Sequence, residues 1–488
     1  MILLAAFLFP MIAGALIAWL RRKNVLKSDY WYGAAALVTD ALCLLAVFFG
    51  KSITIFTLGD HLSMTFRLDS LGCLYLIVVL ILYTVTVFYS MVYMTKQEHQ
   101  PIFYGFYFLS MGFLISLCMA DNLLTMYMSF EFVTLSTFSL VLHERTREAV
   151  TAGLKYLFYS MAGALMGLMT LFYMYYFSTG DHSFTPGGFL DPAKLAGNEE
   201  LLPVFAVIGI FGFGAKAGLF PLHGWLPTAH PIAPAPASAL MSGIIAKAGV
   251  LAIIRLVYYS IGPERLAGSW AQYLWMGIAC LTVVMGSTMA FLEKNFKKRL
   301  AYSTVSQISY IQLGLSVLSV RGLRGALVHL LQHAPSKACL FLAAGIFIYL
   351  YSRRNVSDLR GLGRRMPLTF WCITFASLSL IGIPPMGGFL SKWDIAGAVI
   401  GVPELGVFRI LGPVVLLISA LLTAGYLLPI VVDGFFPKRE YEEPEEIDGA
   451  VVRDPVKRMV VPMILLCCMA LFAGLFGDNV VDAVLGGF

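Results

Sequence analysis

Several charged residues lie deep inside long apolar stretches of the sequence. They are Glu131, Lys216, Lys247, Lys337 and Lys392, and Asp40 and Arg255 have similar surroundings. A charge near the centre of a membrane costs at least about 2.5–3.5 kcal/mol, so such residues are functional or paired by default. Because desolvation disfavours the ammonium form, a buried lysine can alternate between charged and neutral states. We therefore interpret these lysines as proton carriers.

Two structural interpretations compete with proton transfer. In the first, the basic side chains extend to the membrane surface, which suits Arg255 and Lys392 but not Lys247 within ALMSGIIAKAGVLAII. In the second, Glu131 and Lys216 form one structural ion pair that holds two helices together. A single carboxylate cannot neutralise all of the buried lysines, so we favour proton transfer.

Two groups of histidines extend the set of titratable residues. His329, His333 and Lys337 recur every four residues, so a helix places them on one face over about 12 Å. Since histidine exchanges protons near neutral pH, this spacing predicts a proton path. His223 and His230 flank a proline-rich stretch, and we interpret them as cytoplasmic access for protons. No carboxylate or thiolate has a matching spacing, so we expect no metal site.

The amino-acid composition indicates whether these residues belong to a soluble protein or to a membrane protein. Of 488 residues, 59% are hydrophobic and 13% are charged, whereas soluble proteins have about 45–50% apolar and about 25% charged residues. A water-soluble enzyme is excluded, and nothing resembles a nucleic-acid-binding patch. The sequence instead predicts an all-α membrane protein with about fourteen transmembrane helices. The apolar segments lie near residues 1–20, 31–50, 71–95, 101–120, 122–142, 153–178, 201–222, 237–260, 270–292, 301–319, 325–351, 368–397, 408–433 and 460–484.

The distribution of Lys and Arg sets the expected orientation. Arg21 and Arg22 follow the first apolar segment and no basic residue precedes it, which indicates an uncleaved span with its N-terminus outside. Loops on the same side carry most of the basic residues, among them Arg145, Arg147, Lys297, Lys298, Arg299, Arg353, Arg354, Arg364 and Arg365. The positive-inside rule then places both termini outside the cytoplasm, in a prokaryotic cytoplasmic membrane.

Two connections have patterns of their own. Residues 52–68 alternate between apolar and polar positions around Gly59-Asp60, which predicts a small hairpin on the outside. Residues 437–458 carry mixed charges, and we interpret them as a solvated cytoplasmic loop, with docking of a cytoplasmic partner as the alternative.

Glycine and proline interrupt two of the segments close to a buried lysine. Lys216 is surrounded by Gly212, Gly214, Gly218 and Pro221, while Gly382, Pro384, Pro385, Gly387 and Gly388 precede Lys392. In transporters, interrupted spans at corresponding places in two halves indicate the ion site. The two lysines are five spans apart, which is the offset that two five-helix units in tandem produce.

The sequence encodes no cofactor site that could supply energy. The eight cysteines are scattered within apolar runs without C-x-x-C spacing, so no disulfide framework, zinc site or iron–sulfur cluster is expected. FGFGAK lacks the spacing of a phosphate-binding loop. Energy must therefore come from a partner or from an ion gradient.

Several motifs resemble those of a known family. They are Glu131, Lys216-Ala-Gly-Leu-Phe-Pro-Leu-His-Gly-Trp-Leu-Pro, Ala233–Pro236 before Lys247, Lys298-Arg299-Leu-Ala-Tyr-Ser-Thr-Val-Ser, His333-Ala-Pro-Ser-Lys337 and Pro384-Pro385-Met-Gly-Gly-Phe-Leu-Ser-Lys392. The chain resembles the antiporter-like proton-pumping subunits of respiratory complex I, membrane-bound NiFe hydrogenases with formate hydrogenlyase, and Mrp sodium/proton antiporters. The similarity extends over most of residues 60–430.

The resemblance implies an architecture and an assembly. The architecture is two inverted five-helix repeats, helices 4–8 and 9–13, with helices 7 and 12 broken. Expected domains are 1–100 (helices 1–3), 101–262 and 263–435 (the repeats), and 436–488 (cytoplasmic loop and helix 14). The run from His223 to Pro231 is closer to the hydrogenase and complex I branch than to the Mrp branch. The expected assembly is a membrane-bound hydrogenase, whose partner subunits carry iron–sulfur clusters and a NiFe centre in a cytoplasmic redox arm.

The resemblance also implies a role for each buried residue. Glu131 and Lys216 would form an ion pair that opens and closes, Lys247 would be the central carrier, and Lys392 the terminal site. His329, His333 and Lys337 would connect them. The alternatives are an Mrp-type sodium/proton antiporter subunit, a carrier of a small organic solute, and a membrane anchor that does not pump. The transported ion, proton or sodium, stays open.

Overall fold

The computed structural model describes residues 1–58, 62–437, 446–447 and 450–486 and is almost entirely helical. Its main helices are α1 (Ile2–Arg22), α2 (Tyr30–Phe49), α3 (Ser70–Tyr93), α4 (Gln100–Cys118), α5 (Leu123–Val141), α6 (Arg147–Tyr176), the two-part α7 (α7a Leu201–Ala217 and α7b Leu226–Ile232), α8 (Ala235–Ile261), α9 (Trp270–Leu292), α10 (Phe296–Ser316), α11 (Val320–Tyr351), the two-part α12 (α12a Pro367–Ile381 and α12b Gly387–Ile400), α13 (Phe408–Phe435) and α14 (Lys457–Leu485). Single helical turns lie at Pro192–Leu195, Leu362–Arg365, Met94–Lys96, Pro263–Arg265, Val356–Leu359 and Pro403–Leu405.

Two small antiparallel hairpins complete the described secondary structure. Strands β1 (Ile53–Leu58) and β2 (Leu62–Phe66) form the first, so the hairpin predicted over 52–68 is confirmed. Its tip at Gly59-Asp60 lies outside the described residues. Strands β3 (Glu446–Ile447) and β4 (Ala450–Val451) form the second. They lie within the predicted loop 437–458, most of which also falls outside the described residues.

The predicted fourteen spans are confirmed as fourteen continuous or two-part helices in the described chain. Eleven of them are long and apolar enough to cross a membrane by themselves. Two shorter apolar helices are α7a and α12a, which are the first halves of the broken spans. The remaining one, α10, is rich in Ser, Thr and Gln, but these polar side chains are buried against other helices rather than exposed to lipid.

The two helix breaks fall where glycine and proline predicted them. Helix α7a ends at Gly218 with φ +80°, and α12a ends at Gly382 with φ +88°. These left-handed conformations are costly for residues that have a Cβ atom. Each break continues through a cis proline, Phe220-Pro221 in α7 and Pro384-Pro385 in α12. The break residues, rather than packing alone, thus divide both helices.

The chain crosses the membrane in opposite senses in its two halves. Helix α4 ends beside the first hairpin, where Ala120 bridges Phe66, and we call this end of the molecule the hairpin face. Helix α9 instead begins on this face, just after Arg265, which donates a hydrogen bond to Leu190 O in a neighbouring loop. Helices α4–α8 and α9–α13 are therefore two inverted five-helix units. The opposite end, which carries the basic loops, is called the basic face.

Arg255 is buried in an ion pair near the hairpin face, so its guanidinium is held by a carboxylate rather than exposed at the membrane surface. It is only 2% exposed, and its two terminal nitrogens donate to the two carboxylate oxygens of Asp69, each at 2.6 Å. Asp69 also caps α3 by accepting from Gly72 N. The guanidinium lies over the rings of Phe184 and Tyr259. This bidentate pair joins α8 to the start of α3.

Replacing Arg255 should destabilise the protein strongly. Arg255→Ala leaves the Asp69 carboxylate without its charged partner, and breaking a buried pair in this way costs about 3–5 kcal/mol. Arg360→Ala is the matched control, because its pair with Asp433 is exposed on both sides (57% and 46%) and should contribute only about 0–1 kcal/mol. Thermal unfolding in detergent tests both variants, and equal losses of stability would contradict this assignment.

Candidate functional site

The predicted proton-transfer residues come from five helices and form a buried row through the middle of the molecule. Lys216 is 1% exposed, and Lys247, His329, His333 and Lys337 are fully buried. Glu131 and Lys392 are partly buried. This row is far more extensive than a single ion pair, and it contains more basic groups than carboxylates.

Lys216 is bound to helix α5 beside Glu131 but not to its carboxylate. Its Nζ donates to Phe130 O at 2.9 Å and to Thr134 Oγ1 at 2.6 Å, and lies 4.0 Å from the centre of the Phe130 ring. Glu131 Oε1 is buried without a hydrogen-bond partner. The structure therefore holds the predicted pair in a separated arrangement, in which the Lys216 amine contacts α5 without contacting the Glu131 carboxylate.

Lys247 begins an α-helical segment immediately after a local change in the helical hydrogen-bond pattern. Residues Met241–Ile245 of α8 form a π-helical turn, a feature often found at functional sites. The Nζ of Lys247 donates to Ser242 O, a carbonyl of this turn. Ser242 Oγ in turn contacts Thr304 Oγ1 of α10 at 2.7 Å. The π-helical turn thus supplies a polar partner to a lysine that has no carboxylate beside it in the structure.

The histidines and lysine of α11 lie along one face, as the four-residue spacing predicted. The rings of His329 and His333 are stacked with centres 5.8 Å apart. Both ring nitrogens of His333 and Nε2 of His329 are buried without a hydrogen-bond partner. Lys337 Nζ donates to Leu300 O of α10 at 3.2 Å. These unsatisfied nitrogens are the sites on which a proton or a water molecule could be bound.

Lys392 closes the row at the break in α12. Its Nζ donates to Leu380 O at 2.8 Å and to Ile381 O at 2.7 Å, the last carbonyls of α12a. A helix C-terminus carries a partial negative charge, which suits a cation. The neighbouring Ser391 Oγ lies 2.9 Å from His329 Nδ1, so α12b contacts the histidine face of α11 directly.

Sequence reasoning missed three residues that connect His329 to α12 and α10. The ring of Tyr310 in α10 contacts that of His329 edge-on, and its centre lies 5.2 Å from Lys392 Nζ. Gln332 approaches His329 Nδ1 at 3.4 Å and accepts from Ser379 Oγ of α12a at 2.9 Å. Gln332 lies three positions after His329, so the helical spacing could have identified it. Nothing in the local sequence indicates Tyr310.

The two histidines near the proline-rich stretch have different surroundings. His230 is fully buried between the rings of Trp225 and Phe341, and both of its ring nitrogens lack partners. It therefore lies below the surface rather than at an open mouth. His223 is partly exposed and stacks on Phe220. Of the two, only His223 is accessible at the surface of the described chain.

Lys297 is a buried residue that the sequence had placed in a loop. Helix α10 begins at Phe296, and Lys297 is only 4% exposed. Its Nζ donates to Ala233 O at 2.5 Å, at the corner between α7b and α8, and lies 3.5 Å from Pro231 O. These contacts place the amine of Lys297 beside the backbone that directly follows His230. Lys297 therefore lies at the end of the row that is nearer to the basic face.

Replacing Lys297 should reduce proton translocation, because it removes the buried amine nearest to His230 on the basic face. We expect Lys297→Met to lower the rate of translocation about a hundredfold, the lower end of the range for one lost proton-transfer group. Lys298→Met is the matched control, since Lys298 is 41% exposed and paired with Glu293 outside the row. Proton uptake by membrane vesicles measures both, and equal rates in the two variants would contradict a role for Lys297.

The remaining titratable groups of the described chain do not extend the row. Asp40 accepts from Thr84 Oγ1 at 2.7 Å between α2 and α3, outside the two five-helix units. Within the described residues, no group of three or more His, Cys, Asp or Glu side chains is arranged to bind a metal ion. The chemistry available to the row is thus proton exchange among amines, imidazoles and one carboxylate.

The chain matches known proteins over the part that carries this row. Residues 120–423 match the family described as "NADH:quinone oxidoreductase/Mrp antiporter, TM". The chain is 33% identical over 398 residues to NADH-quinone oxidoreductase subunit N of Desulforudis audaxviator (strain MP104C), covering 80% of this chain and 77% of the relative. It is 30% identical over 441 residues to hydrogenase-4 component B of Escherichia coli (strain K12), covering 85% of this chain but only 63% of the relative.

The fold is also similar to a solved structure over nearly its full length. A chain of the membrane-bound sulfane sulfur reductase (MBS), an archaeal respiratory membrane complex, superposes with a TM-score of 0.83 and 23% identity. The match covers 99% of this chain and 96% of that one. The resemblance read from the motifs is therefore confirmed, and the structural neighbour is part of a multi-subunit membrane complex.

Proposed function

Because this chain belongs to the NADH:quinone oxidoreductase/Mrp antiporter family of membrane subunits, we propose that it moves protons across the membrane through its buried row. The observation that carries the proposal is the set of buried and partly buried amines and imidazoles from Lys216 to Lys392, which outnumber the carboxylates near them. A structural anchor for a partner enzyme has no need of such costly buried groups.

The first step is a change in the contact between α5 and α7. Contact of Lys216 with the Glu131 carboxylate would favour the charged ammonium, because an opposite charge nearby stabilises the charged form. In the separated arrangement, Lys216 keeps only Phe130 O and Thr134 Oγ1 as acceptors. Separation thus favours release of the proton towards Lys247 of α8.

The second step carries the charge from α8 to the break in α12. A proton on Lys247 would repel one on Lys337 or His333, since like charges in a low-dielectric interior disfavour each other. His333 stacks on His329, and His329 contacts Ser391 next to Lys392. The terminal Lys392, held by carbonyls of α12a, then releases the proton to the hairpin face.

We further propose that the chain is one membrane subunit of a complex I-like hydrogenase in a prokaryotic cytoplasmic membrane. Its expected partners are related membrane subunits and a cytoplasmic redox arm that carries iron–sulfur clusters and a NiFe centre. The similarity to hydrogenase-4 component B supports this branch. The basic face would be cytoplasmic, with both termini outside, by the positive-inside rule. Sodium transport, as in an Mrp-type antiporter, is the second candidate.

Purification of the tagged chain under gentle detergent conditions tests this assignment. Mass spectrometry of co-purifying proteins and analysis of iron and nickel distinguish the branches. Iron with nickel and soluble redox subunits would support the hydrogenase. Iron without nickel would instead indicate a complex I-like quinone reductase. Small membrane partners without metal would indicate an Mrp-type antiporter and would overturn the hydrogenase proposal.

A further inference from the structure

Two grooves run along opposite sides of α4 on the membrane-facing surface, starting at the basic face. Groove A lies between α1 and α4, where it is bounded by Met11, Ala15, Ala18, Ile102, Gly105 and Phe106, and its volume is about 330 Å³. Groove B lies between α4, α5 and α6, where Ile102, Phe106, Ser139, His143 and Val150 border a volume of about 260 Å³. Ile102 and Phe106 therefore form a wall shared by both grooves.

The length of groove A matches one leaflet of a membrane. The groove extends along α1 from Arg22 to Met11, which is about 16 Å at 1.5 Å per residue. This is close to half of the hydrocarbon core, which is about 30 Å thick. Trp19, which also lines the groove and is 57% exposed, is at the level where aromatic side chains mark the membrane–water interface.

Each groove carries positive charge at its basic-face end. Arg22 lines groove A and Arg145 lines groove B, and both are exposed. Neither forms an ion pair with any residue that the structure describes. By contrast, the adjacent Arg21 is fully engaged with Asp29 and with Lys27 O. The two free guanidinium groups thus flank the start of α4.

A buried polar atom faces groove B without a partner. His143 lines this groove, its residue is only 7% exposed, and its Nε2 atom has no hydrogen-bond partner. An orphaned buried nitrogen is unfavourable unless a ligand or water binds it. A polar group near the basic-face end of a mainly apolar groove suits the glycerol-ester region of a lipid.

We propose that one anionic diacyl phospholipid binds across the start of α4, with one acyl chain in each groove and its phosphate between Arg22 and Arg145. The apolar walls accept the chains, the arginines bind the phosphate, and His143 binds an oxygen of the ester region. Basic pockets between transmembrane helices are a known setting for anionic lipid headgroups.

A phospholipid fits these grooves better than a helix of a neighbouring subunit. A transmembrane helix would need a contact surface along the full thickness of about 30 Å, whereas groove A ends near the middle of the membrane at Met11 and Leu109. Two separate grooves divided by Ile102 and Phe106 also match two chains rather than one cylinder of helix. This inference does not depend on the proposed proton path.

Variants that remove the two arginines test lipid binding, and variants of nearby basic residues outside the grooves serve as controls. The purified complex is stripped of lipid, incubated with equal amounts of phosphatidylglycerol and phosphatidylcholine, and examined by native mass spectrometry. We expect the wild type to retain phosphatidylglycerol preferentially. Arg22→Gln and Arg145→Gln should each weaken this retention about fivefold, the effect of one lost basic contact. Lys23→Gln and Arg147→Gln, which lie outside the grooves, should retain it.

A second pair of variants tests the grooves themselves. Gly105→Leu places a side chain in groove A and should reduce lipid retention, whereas Gly105→Ala should not, because its Cβ would only touch Ala18 Cβ at 3.7 Å. Equal retention by Arg22→Gln and Lys23→Gln, or equal binding of the two lipids, would overturn the proposal. Loss of a protein subunit from Gly105→Leu with lipid retention unchanged would overturn it in favour of a partner helix.

Discussion

Lys216→Ala should abolish proton translocation while the complex still assembles. The variant removes the amine that links the carboxylate of α5 to the rest of the row, and Phe130 O and Thr134 Oγ1 are not proton carriers that could replace it. Losing one obligatory proton-transfer group costs about 10²–10⁴-fold in rate. Acidification or dye quenching in sealed vesicles, driven by the partner reaction, measures the rate.

A lysine at the surface provides the control for Lys216. Lys51 is exposed just before strand β1 of the hairpin, so Lys51→Ala should translocate protons at the wild-type rate. Native gel electrophoresis verifies that both variants assemble. Translocation at full stoichiometry in assembled Lys216→Ala would show that the row is not the proton path, and the structural-anchor interpretation would then be preferred.

His333→Phe should also stop proton translocation, and it should do so without lowering stability. Both ring nitrogens of His333 are buried and make no hydrogen bond to any described residue, so the variant breaks no hydrogen bond within the protein. A phenyl ring can keep the stacking on His329 and removes two unsatisfied polar atoms, a change that is neutral or stabilising. We expect a loss of translocation of about 10² or more, measured beside the melting temperature.

His182 offers a comparison outside the row. It is a buried histidine on the hairpin face, stacked on Tyr175 with ring centres 4.0 Å apart. His182→Phe should leave translocation intact even if it alters stability, because Ser178 loses its contact with Nε2. If His333→Phe lowered the melting temperature and translocation together, a structural role would explain the result and the relay would lose its support.

Local patterns in the sequence were sufficient for the class of protein, the fourteen spans and both helix breaks. Hydrophobicity over about 20 residues is a property of one segment and needs no knowledge of its neighbours. The same holds for Gly218 and Gly382, whose left-handed conformations end α7a and α12a. The four-residue spacing of His329 and His333 likewise fixed their common face, because both lie on one continuous helix.

Contacts between residues that are far apart in the chain could not be predicted from the sequence. Arg255 is held by Asp69, which is 186 positions away, and Lys297 by a carbonyl 64 positions away, so neither burial could be inferred locally. The separation of Lys216 from Glu131 depends on how α7 packs on α5. The sequence by itself thus determined which charges enter the membrane. Only the tertiary structure decided what each charge contacts. Those contacts form between different helices, and a local sequence pattern does not predict how two helices pack against each other.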